Sequence, residues 1–334
     1  MKQMKLKKKK KKSSKKKWYI FLLCTAMILT FCYEAVMHLE FNISNEEFIR
    51  RLLQDGNHHN NSVQTSNNVL TEVLQFFSGI NFQDATSILQ KNYQGLTDLS
   101  VDSDQQISLE DASKLSEYIE NPYPDKVTTD PLVYIYNTHQ LEQYSKSNIE
   151  SYNVTPNVMM ASYILKEKLN DLGISSLVEE QNVTELLQMN NWNYASSYKV
   201  TKMLMEDAKE KNPTLKYFVD LHRDSVTKGI STAEINGKNY AKIMFIVGLE
   251  NPDYEKNLAI TNDINERLKK KYPGISRGIY KKEGKGVNGV YNQDVSPNAI
   301  LIECGGYENT IEEVLNTIEA IAQVLADYIG DNNG

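Results

Sequence analysis

Short runs of apolar, β-branched and aromatic residues recur along the second half of the chain, and three of them end abruptly in polar residues. They lie within residues 133–142, 217–224 and 299–306. Apolar runs of this length between turn signals are typical of strands buried on both faces of a parallel sheet. The pattern therefore predicts three buried strands. Open α/β sheets place their functional sites at the C-terminal ends of such strands.

Strand-like and helix-like patterns alternate from residue 131 to the end of the chain. Strands are predicted at 132–137, 174–179, 216–221, 238–247 and 298–303. Helices are predicted at 156–171, 194–211, 253–271 and 308–329. Such alternation predicts an α/β fold, a mostly parallel sheet with helices on both faces.

The N-terminal part has a different pattern. Residues 18–39 form a mainly apolar run with aromatic residues near its ends, and residues 1–17 before it contain 11 lysines. A spanning helix needs about 17–25 mostly apolar residues, and positive charge stays on the cytoplasmic side. We expect a polybasic cytoplasmic tip (1–17) and a transmembrane anchor (18–39), which makes the chain a single-pass cell membrane protein with an extracytoplasmic catalytic domain. A cleaved signal peptide is the alternative.

Between the anchor and the alternating region, helix-like spacing occurs at 40–57 and 69–92. An Asn-rich linker carrying His58 and His59 separates the two segments, and such an exposed pair is more typical of a solvated loop than of a metal site. We expect 40–130 to form a stalk or small helical region, and 131–334 to form the catalytic domain.

Charge is distributed unevenly along the chain. Of 37 Lys and Arg residues, 11 lie in the first 17 positions, which leaves 26 against 43 acidic residues in the remainder. Because the lysines directly precede an apolar run, they indicate membrane orientation rather than a nucleic-acid partner. Cys304 is the only cysteine outside the apolar run. It has no disulfide partner there and is more typical of a small buried strand residue than of a nucleophile.

Candidate chemistry centres on the two histidines of the region 131–334, each of which follows a predicted strand. Catalytic zinc usually takes three protein ligands of His and Glu type and keeps a fourth position for water. His139 and Glu142 supply two ligands from one loop, and His222 supplies the third. Glu303, at the end of another strand, is predicted to be the general base that takes a proton from the attacking water. The spacing predicts a metal-dependent amide hydrolase, and the His and Glu ligand types make Zn2+ the expected cofactor.

Other polar residues near these strand ends have open roles. Glu150, Asp220 and Asp224 compete with Glu142 for the ligand position. Arg223 is predicted as a catalytic residue that binds a substrate carboxylate or stabilises an oxyanion, with a loop ion pair as the alternative. Asp220 or Asp224 could orient a metal-bound imidazole instead.

Several motifs, in order, resemble the stage II sporulation protein P family. They are Ile135-Tyr-Asn-Thr-His139 with Glu142 and Tyr144, Asp220-Leu-His-Arg-Asp224, Ile235-Asn-Gly-Lys238, Ala241 to Gly248, Ser276-Arg-Gly-Ile-Tyr280, Tyr291-Asn-Gln-Asp294 and Ile302-Glu-Cys-Gly-Gly306 with Glu308-Asn309. The resemblance covers about 131–330. It implies a fold similar to zinc-dependent N-acetylmuramoyl-L-alanine amidases and the degradation of peptidoglycan during engulfment in sporulation. It also implies cleavage of peptide cross-links, and stage II sporulation proteins D and M as partners.

The resemblance places the family's histidines on His139 and His222 and its glutamate on Glu303. One departure is Asn137, where the family's first motif usually has an additional histidine; another is Gln140-Leu141 in place of a Thr/Ser-rich continuation. Two other functions remain open. A zinc carboxypeptidase would need Arg223 to bind a terminal carboxylate, and a decayed cell-wall-binding scaffold would bind no metal.

Overall fold

The computed structural model describes residues 14–37, 43–57 and 116–332. Within these ranges the longer helices are α1 (Ser14–Met37), α2 (Asn45–Asn57), α3 (Val158–Asp171), α4 (Val183–Met189), α5 (Ser197–Lys211), α6 (Tyr254–Lys271) and α7 (Ile311–Asn332). The strands are β1 (Val133–Tyr136), β2 (Ser176–Val178), β3 (Tyr217–Asp224), β4 (Thr232–Ile235), β5 (Lys238–Ala241), β6 (Ile243–Gly248), β7 (Ser276–Lys282) and β8 (Ala299–Gly306).

Six of these strands form one mixed sheet in the order β2-β1-β3-β8-β6-β7. The pairs β1–β2, β1–β3, β3–β8 and β6–β7 are parallel, and only β6–β8 among the described pairs of this sheet is antiparallel. The predicted mostly parallel α/β sheet is thus confirmed. Its central pair, β3–β8, carries two of the three strand ends to which the sequence analysis assigns chemistry, and β1 next to β3 carries the third.

Alternation of side chains along the strands produces two cores, one on each face of the sheet. Tyr134, Tyr136 and Phe218 pack on one face with Met205 and Ala208 of α5. The opposite face is covered by α3, α6 and α7, and it includes the strand residues Val133, Ile135, Val219, Leu221, Ile300 and Ile302. Helices therefore lie on both faces, as the pattern predicts.

Local sequence explains where the long helices begin and what they bury. Asn157 caps α3, because its side-chain oxygen accepts a hydrogen bond from the Met160 amide at 3.1 Å. In α7 the buried residues recur every three or four positions, as an amphipathic helix requires. This stripe includes Ile311, Val314, Ile318, Ile321, Leu325 and Ile329.

The structure differs from the predicted element list at four places. The predicted strand 238–247 is two strands, β5 and β6, which separate at Lys242. Strands β4 and β7 and helix α4 were not predicted. β7 lies at the edge of the sheet and is largely polar, so it lacks the continuous apolar run by which the central strands are recognised.

Helix α2 packs into the same core as α3 and α7. Phe48, Ile49 and Leu53 are buried in it, and Ile49 has no exposed surface. Hydrogen bonds reinforce this packing, since the Arg50 guanidinium donates to the Pro122 carbonyl and the Thr155 amide to Asn45 Oδ1. The predicted domain boundary at 131 stays a prediction, but the hydrophobic core extends to α2.

Helix α1 coincides with most of the predicted anchor, of which residues 38–39 lie outside the described residues. No helix within the described ranges combines the length and apolar character needed to cross a membrane. The predicted helical segment at 69–92 and the pair His58–His59 also lie outside the described residues.

Candidate metal centre and catalytic glutamate

The loop after β1 is held in place by the neighbouring strand β3. Asp220 of β3 accepts hydrogen bonds from the Thr138 amide at 3.0 Å and from the Thr138 hydroxyl at 2.7 Å. The next turn is closed by a hydrogen bond from the Glu142 amide to the His139 carbonyl at 3.2 Å. This turn directs the side chains of His139 and Glu142 to the C-terminal end of β3, where His222 stands.

His139, Glu142 and His222 converge on one point. His139 Nδ1 lies 3.5 Å from Glu142 Oε1, and His222 Nδ1 lies 3.4 Å from Glu142 Oε2. The two imidazole rings are nearly perpendicular, at 88°, with centroids 5.2 Å apart. One donor atom from each of the three residues falls within 4.8 Å of the others.

This donor set fits a zinc ion. Ligand atoms about 2.1 Å from a tetrahedral zinc lie about 3.4 Å from one another, and here each histidine Nδ1 lies near a different oxygen of Glu142, with one donor atom from each residue within 4.8 Å of the others. Two imidazoles and a carboxylate also leave a fourth position for water, as catalytic zinc sites do. The three residues that the sequence predicted as ligands therefore lie together as a candidate metal site.

Asp220 lies behind His222. His222 Nε2 is 2.9 Å from Asp220 Oδ1, while His222 Nδ1 faces Glu142, so each ring nitrogen meets one carboxylate. Burial by itself lowers the pKa of His222, but these two carboxylates outweigh it and raise the pKa well above its ordinary value. A carboxylate on the far nitrogen of a ligating histidine fixes its ring orientation and tautomer.

Glu142 is held as a carboxylate. Burial alone would raise its pKa, but His222, His139 and Arg223 together lower the pKa well below its ordinary value. Glu142 is thus ionised at neutral pH and ready to bind a cation.

Glu303 stands beside His222 in the sheet, since the two residues are directly paired across β3 and β8. Glu303 Oε2 is buried and has no hydrogen-bond partner among the described residues. Burial raises the pKa of Glu303, and the charges of Glu142 and Asp224 raise it further. His222 and Lys282 lower it in part, so that the pKa of Glu303 is about 7. An unpartnered buried carboxylate oxygen with such a pKa suits a general base at neutral pH.

Arg223 lies at the site, and its hydrogen bonds are made to other residues of the protein. Its backbone amide donates to Glu142 Oε2 at 2.9 Å, and its Nε donates to the Gln143 carbonyl at 3.0 Å. Its Nη1 donates to Ser225 Oγ at 3.2 Å. These bonds hold the loop that carries Glu142, whereas the predicted catalytic role of Arg223 stays a prediction.

The other polar residues of the two motifs have structural partners. Asp224 pairs with Arg277 at 2.6 Å. Asn137, where the family motif usually has a histidine, donates to the Leu221 carbonyl and accepts from Ser162 Oγ. Both the nitrogen and the oxygen of the Asn137 amide thus form hydrogen bonds inside the protein. The candidate metal site of His139, Glu142 and His222 does not include position 137.

Cys304 is fully buried in β8. Burial raises the pKa of its thiol to about 12, which keeps it protonated at neutral pH. This position agrees with the prediction that Cys304 is a small buried strand residue.

Two tyrosines that the sequence analysis did not single out, Tyr194 and Tyr198, pack against the histidines of the metal centre. Tyr194 stacks on His139 with centroids 4.9 Å apart, and Tyr198 meets the same ring edge-on at 5.7 Å. Tyr198 also contacts Tyr291 at 5.5 Å. The i, i+4 spacing of Tyr194 and Tyr198 was the available signal, but it does not reveal that this helix start faces the site.

Tyr291 adopts an unusual backbone conformation. Tyr291 and Asn292 both have φ of 55°, a left-handed region that costs bulky residues conformational energy. The conformation is held by side chains around it, because Asn288 Oδ1 accepts from the Tyr291 amide and Asn292 donates to the Tyr198 carbonyl at 2.9 Å. The strained turn places the Tyr291 ring against Tyr198.

The family model for Stage II sporulation protein P matches residues 49–326 of the chain. The chain belongs to the Stage II sporulation protein P family. The match includes α2 as well as the sheet, and so contains His139, Glu142, His222 and Glu303. The resemblance inferred from the motifs is confirmed.

A curated relative, Stage II sporulation protein P of Bacillus subtilis (strain 168), is 35% identical over 216 residues. The match covers 62% of this chain and 54% of the relative, so the chain spans about half the length of that protein.

Solved structures show partial likeness. Cwp6 from Clostridium difficile gives a TM-score of 0.36 at 12% identity, over 62% of this chain and 30% of the other. The N-acetylmuramoyl-L-alanine amidase from Clostridium difficile 630 gives 0.35 at 16% identity, over 62% of this chain and 100% of the other. A metallo-carboxypeptidase from Burkholderia cenocepacia gives 0.34 at 10% identity, over 63% and 60%.

Proposed function

We propose that this protein is a zinc-dependent amide hydrolase that acts on peptidoglycan as an N-acetylmuramoyl-L-alanine amidase. The observation that carries the proposal is the convergence of His139, Glu142 and His222 beside an unpartnered buried oxygen of Glu303. Peptidoglycan as the substrate, peptide cross-links as a further target and engulfment as the setting are implied by the family.

Each residue of the site has a role in this reaction. A zinc ion held by His139, Glu142 and His222 would supply a Lewis acid and lower the pKa of the attacking water to about 7. Glu303 accepts the proton released as water attacks the amide carbon, and returns it to the leaving nitrogen. Asp220 Oδ1 faces His222 Nε2 at 2.9 Å. Tyr194 packs against His139 and Tyr198 packs against both imidazoles, which limits the rotation of the rings.

The second enzymatic hypothesis, a zinc carboxypeptidase, has less support. It needs Arg223 to clamp the terminal carboxylate of a substrate, whereas Arg223 Nε and Nη1 already donate to Gln143 and Ser225. The scaffold hypothesis predicts loss of the site chemistry, and the chain keeps the whole His, Glu, His and Glu set.

Product analysis of the zinc-loaded full-length chain on purified peptidoglycan tests the proposal. An amidase frees intact stem peptides with a new amino-terminal alanine, whereas a carboxypeptidase frees single terminal residues. Release of single terminal residues would contradict the proposal and support the carboxypeptidase hypothesis. No products under any metal condition, with or without stage II sporulation proteins D and M added, would favour the scaffold.

We also propose that residues 18–39 anchor the protein in the cell membrane, with residues 1–17 in the cytoplasm. Large apolar side chains of α1 are exposed, for example Trp18 at 62% and Phe31 at 76%, and the lysine tract directly precedes them. Flotation of the full-length chain with vesicles of anionic lipid tests this, against a chain that lacks residues 1–39. Equal flotation of the two would contradict the anchor.

A further inference from the structure

One part of the sheet face that carries the catalytic residues is left open. Glu303 pairs across the sheet with Met244 of β6, and Met244 pairs with Gly278 of edge strand β7. Because side chains alternate along a strand, Tyr280 and Lys282 lie on the same face as Gly278. Met244 and Lys282 are half-buried, and Tyr280 is 57% exposed. This face thus runs from Glu303 through Met244 to the edge strand β7. Its open positions are Met244, Gly278 and Tyr280, whereas Ile246 and Gly248 of β6 are buried. We refer to it as the β6–β7 groove.

The side chains around the groove leave room beside Glu303. A Cβ atom added at Gly278 would meet no atom within 4 Å, so the position next to Met244 is open space. Along the other side, Tyr291 and Tyr198 pack over Ile246 and Leu301. The groove is therefore bounded by an aromatic wall that continues to the metal centre.

Lys282 stands at the far end of the groove. Its Nζ lies 5.8 Å from the Tyr280 ring centroid and 5.9 Å from the Tyr291 ring centroid. Among the described residues no carboxylate forms an ion pair with Lys282, whereas Arg277 on the same strand pairs with Asp224 at 2.6 Å. A half-buried ammonium held between aromatic rings is available for a charge-assisted hydrogen bond with an anion from outside the chain.

We propose that the β6–β7 groove binds the peptide of the substrate, with a substrate carboxylate on Lys282 and the amide to be cut at Glu303. Lys282 follows Gly278 by four residues on β7. At about 3.3 Å per residue the two backbone positions lie about 13 Å apart, and the Lys282 side chain extends from the far one. The assignment rests on the proposed function and adds to it a specificity-determining residue and the class of substrate that it selects, an anionic peptide.

Replacement of the Lys282 charge tests the proposal on the full-length, zinc-loaded chain. The variant is Lys282→Gln, and the matched control is Lys281→Gln, which removes the same charge from an exposed neighbour on the opposite face of β7. The substrates are two muramoyl peptides of the same sequence, one with free side-chain and terminal carboxylates and one with these groups amidated. For Lys282→Gln we expect KM for the carboxylate substrate to rise about tenfold while KM for the amidated substrate stays within about twofold, as loss of one charge-assisted bond implies.

The amidated substrate gives the second readout. Wild type should discriminate against it by about the same factor of ten, and Lys282→Gln should treat both substrates alike. Equal effects of Lys282→Gln and Lys281→Gln, or a wild type that does not discriminate, would overturn the proposal. Because wild-type discrimination needs no variant, the test holds even where Lys282→Gln does not fold.

Failure of the proposed function has a different signature. If the zinc-loaded wild type cuts neither substrate, calorimetric binding of the two peptides to the same chain replaces KM. Tighter binding of the carboxylate peptide, lost in Lys282→Gln and kept in Lys281→Gln, would then support the groove while hydrolysis is rejected. Equal binding of the two peptides by wild type would reject the groove as well.

Discussion

At the scale of single residues, the site depends on carboxylates whose environments differ. Glu142 is surrounded by His139, His222 and Arg223 and remains ionised, whereas Glu303 has a buried oxygen without a partner and a raised pKa. The surroundings of Glu142 and Glu303 thus shift the pKa values of these two carboxyl groups in opposite directions. This division suits one metal ligand and one general base.

Glu303→Gln should abolish turnover and keep metal. The amide cannot accept a proton, so we expect kcat to fall by about 10²–10⁴-fold while zinc content stays unchanged. Steady-state kinetics and elemental analysis of the same sample measure both quantities. Glu283→Gln, an exposed glutamate of the loop after β7, is the control and should retain full activity. If Glu303→Gln turned over substrate at the wild-type rate, Glu303 would not be the general base.

Asp220→Asn should weaken zinc binding without removal of a ligand. The asparagine cannot hold the His222 ring as the carboxylate does, and loss of such outer partners typically costs about 10–100-fold in metal affinity. Because Asp220 also accepts from Thr138, Thr138→Val is the matched control for the loop contact alone. A competition titration with a zinc chelator measures the affinity. Equal affinities for the two variants would mean that Asp220 acts only through the loop.

The metal-free protein should show a pH-dependent stability that depends on Glu303. Its pKa is about 7 in the folded chain against an ordinary value of 4.5, so between these values the folded chain holds a proton that the unfolded chain releases. The free energy of unfolding therefore falls as pH rises through this window, by at most about 1.4 kcal/mol per pH unit from this group. Below pH 4.5 its contribution is constant.

Denaturant unfolding of chelator-treated protein at several pH values measures this slope. Glu303→Gln removes the titrating group and leaves the His222, Glu142 and Asp220 cluster in both proteins. The wild type should thus lose stability more steeply than the variant from pH 4.5 to 7. Parallel curves would contradict a raised pKa for Glu303.

At the scale of elements, the central strands could be predicted from the sequence because they are apolar throughout. β3 and β8 are buried on both faces, which gives the continuous pattern from which they were read. The edge strand β7 carries Arg277, Gly278 and Lys282 instead, and its place in the sheet depends on pairing with β6 rather than on local pattern. The groove could not be derived from the sequence for the same reason.

The local sequence pattern also does not show where helix α2 packs. Phe48, Ile49 and Leu53 show an amphipathic helix, but the spacing does not say which surface they cover. In the structure that surface is the core shared with α3, and Ile49 lies fully inside it.

Ile49→Ala should accordingly destabilise the whole folded unit. Removal of a fully buried isoleucine typically costs about 2–5 kcal/mol. For a domain of this size each kcal/mol lowers Tm by about 2–4 °C, so calorimetry should show a clear shift of the main transition. Gln54→Ala on the exposed side of α2 is the control. A main transition unchanged in Ile49→Ala would show that α2 folds apart from the sheet.

At the scale of the whole molecule, topology brings together residues that are far apart in the sequence. β1 and β8 both flank β3, so residues near positions 139, 222 and 303 meet although more than eighty residues separate each from the next. This convergence was predictable, because parallel strands share one carboxyl edge. The positions of Tyr194 and Tyr198 were less predictable. They depend on how the start of α5 and the turn before it pack on the sheet, which no local sequence signal shows.

The most direct test of the account is the zinc content of the full-length chain, purified without chelators, for wild type, His139→Ala and His222→Ala. His58→Ala, which replaces a histidine of the Asn-rich segment to which no ligand role is assigned, serves as the control. We predict about one zinc per chain in wild type and in the control, and a loss of that zinc in both site variants, because three protein ligands are needed to hold it. No zinc in wild type after incubation with the metal, or an undiminished zinc content in His222→Ala, would contradict the metal centre.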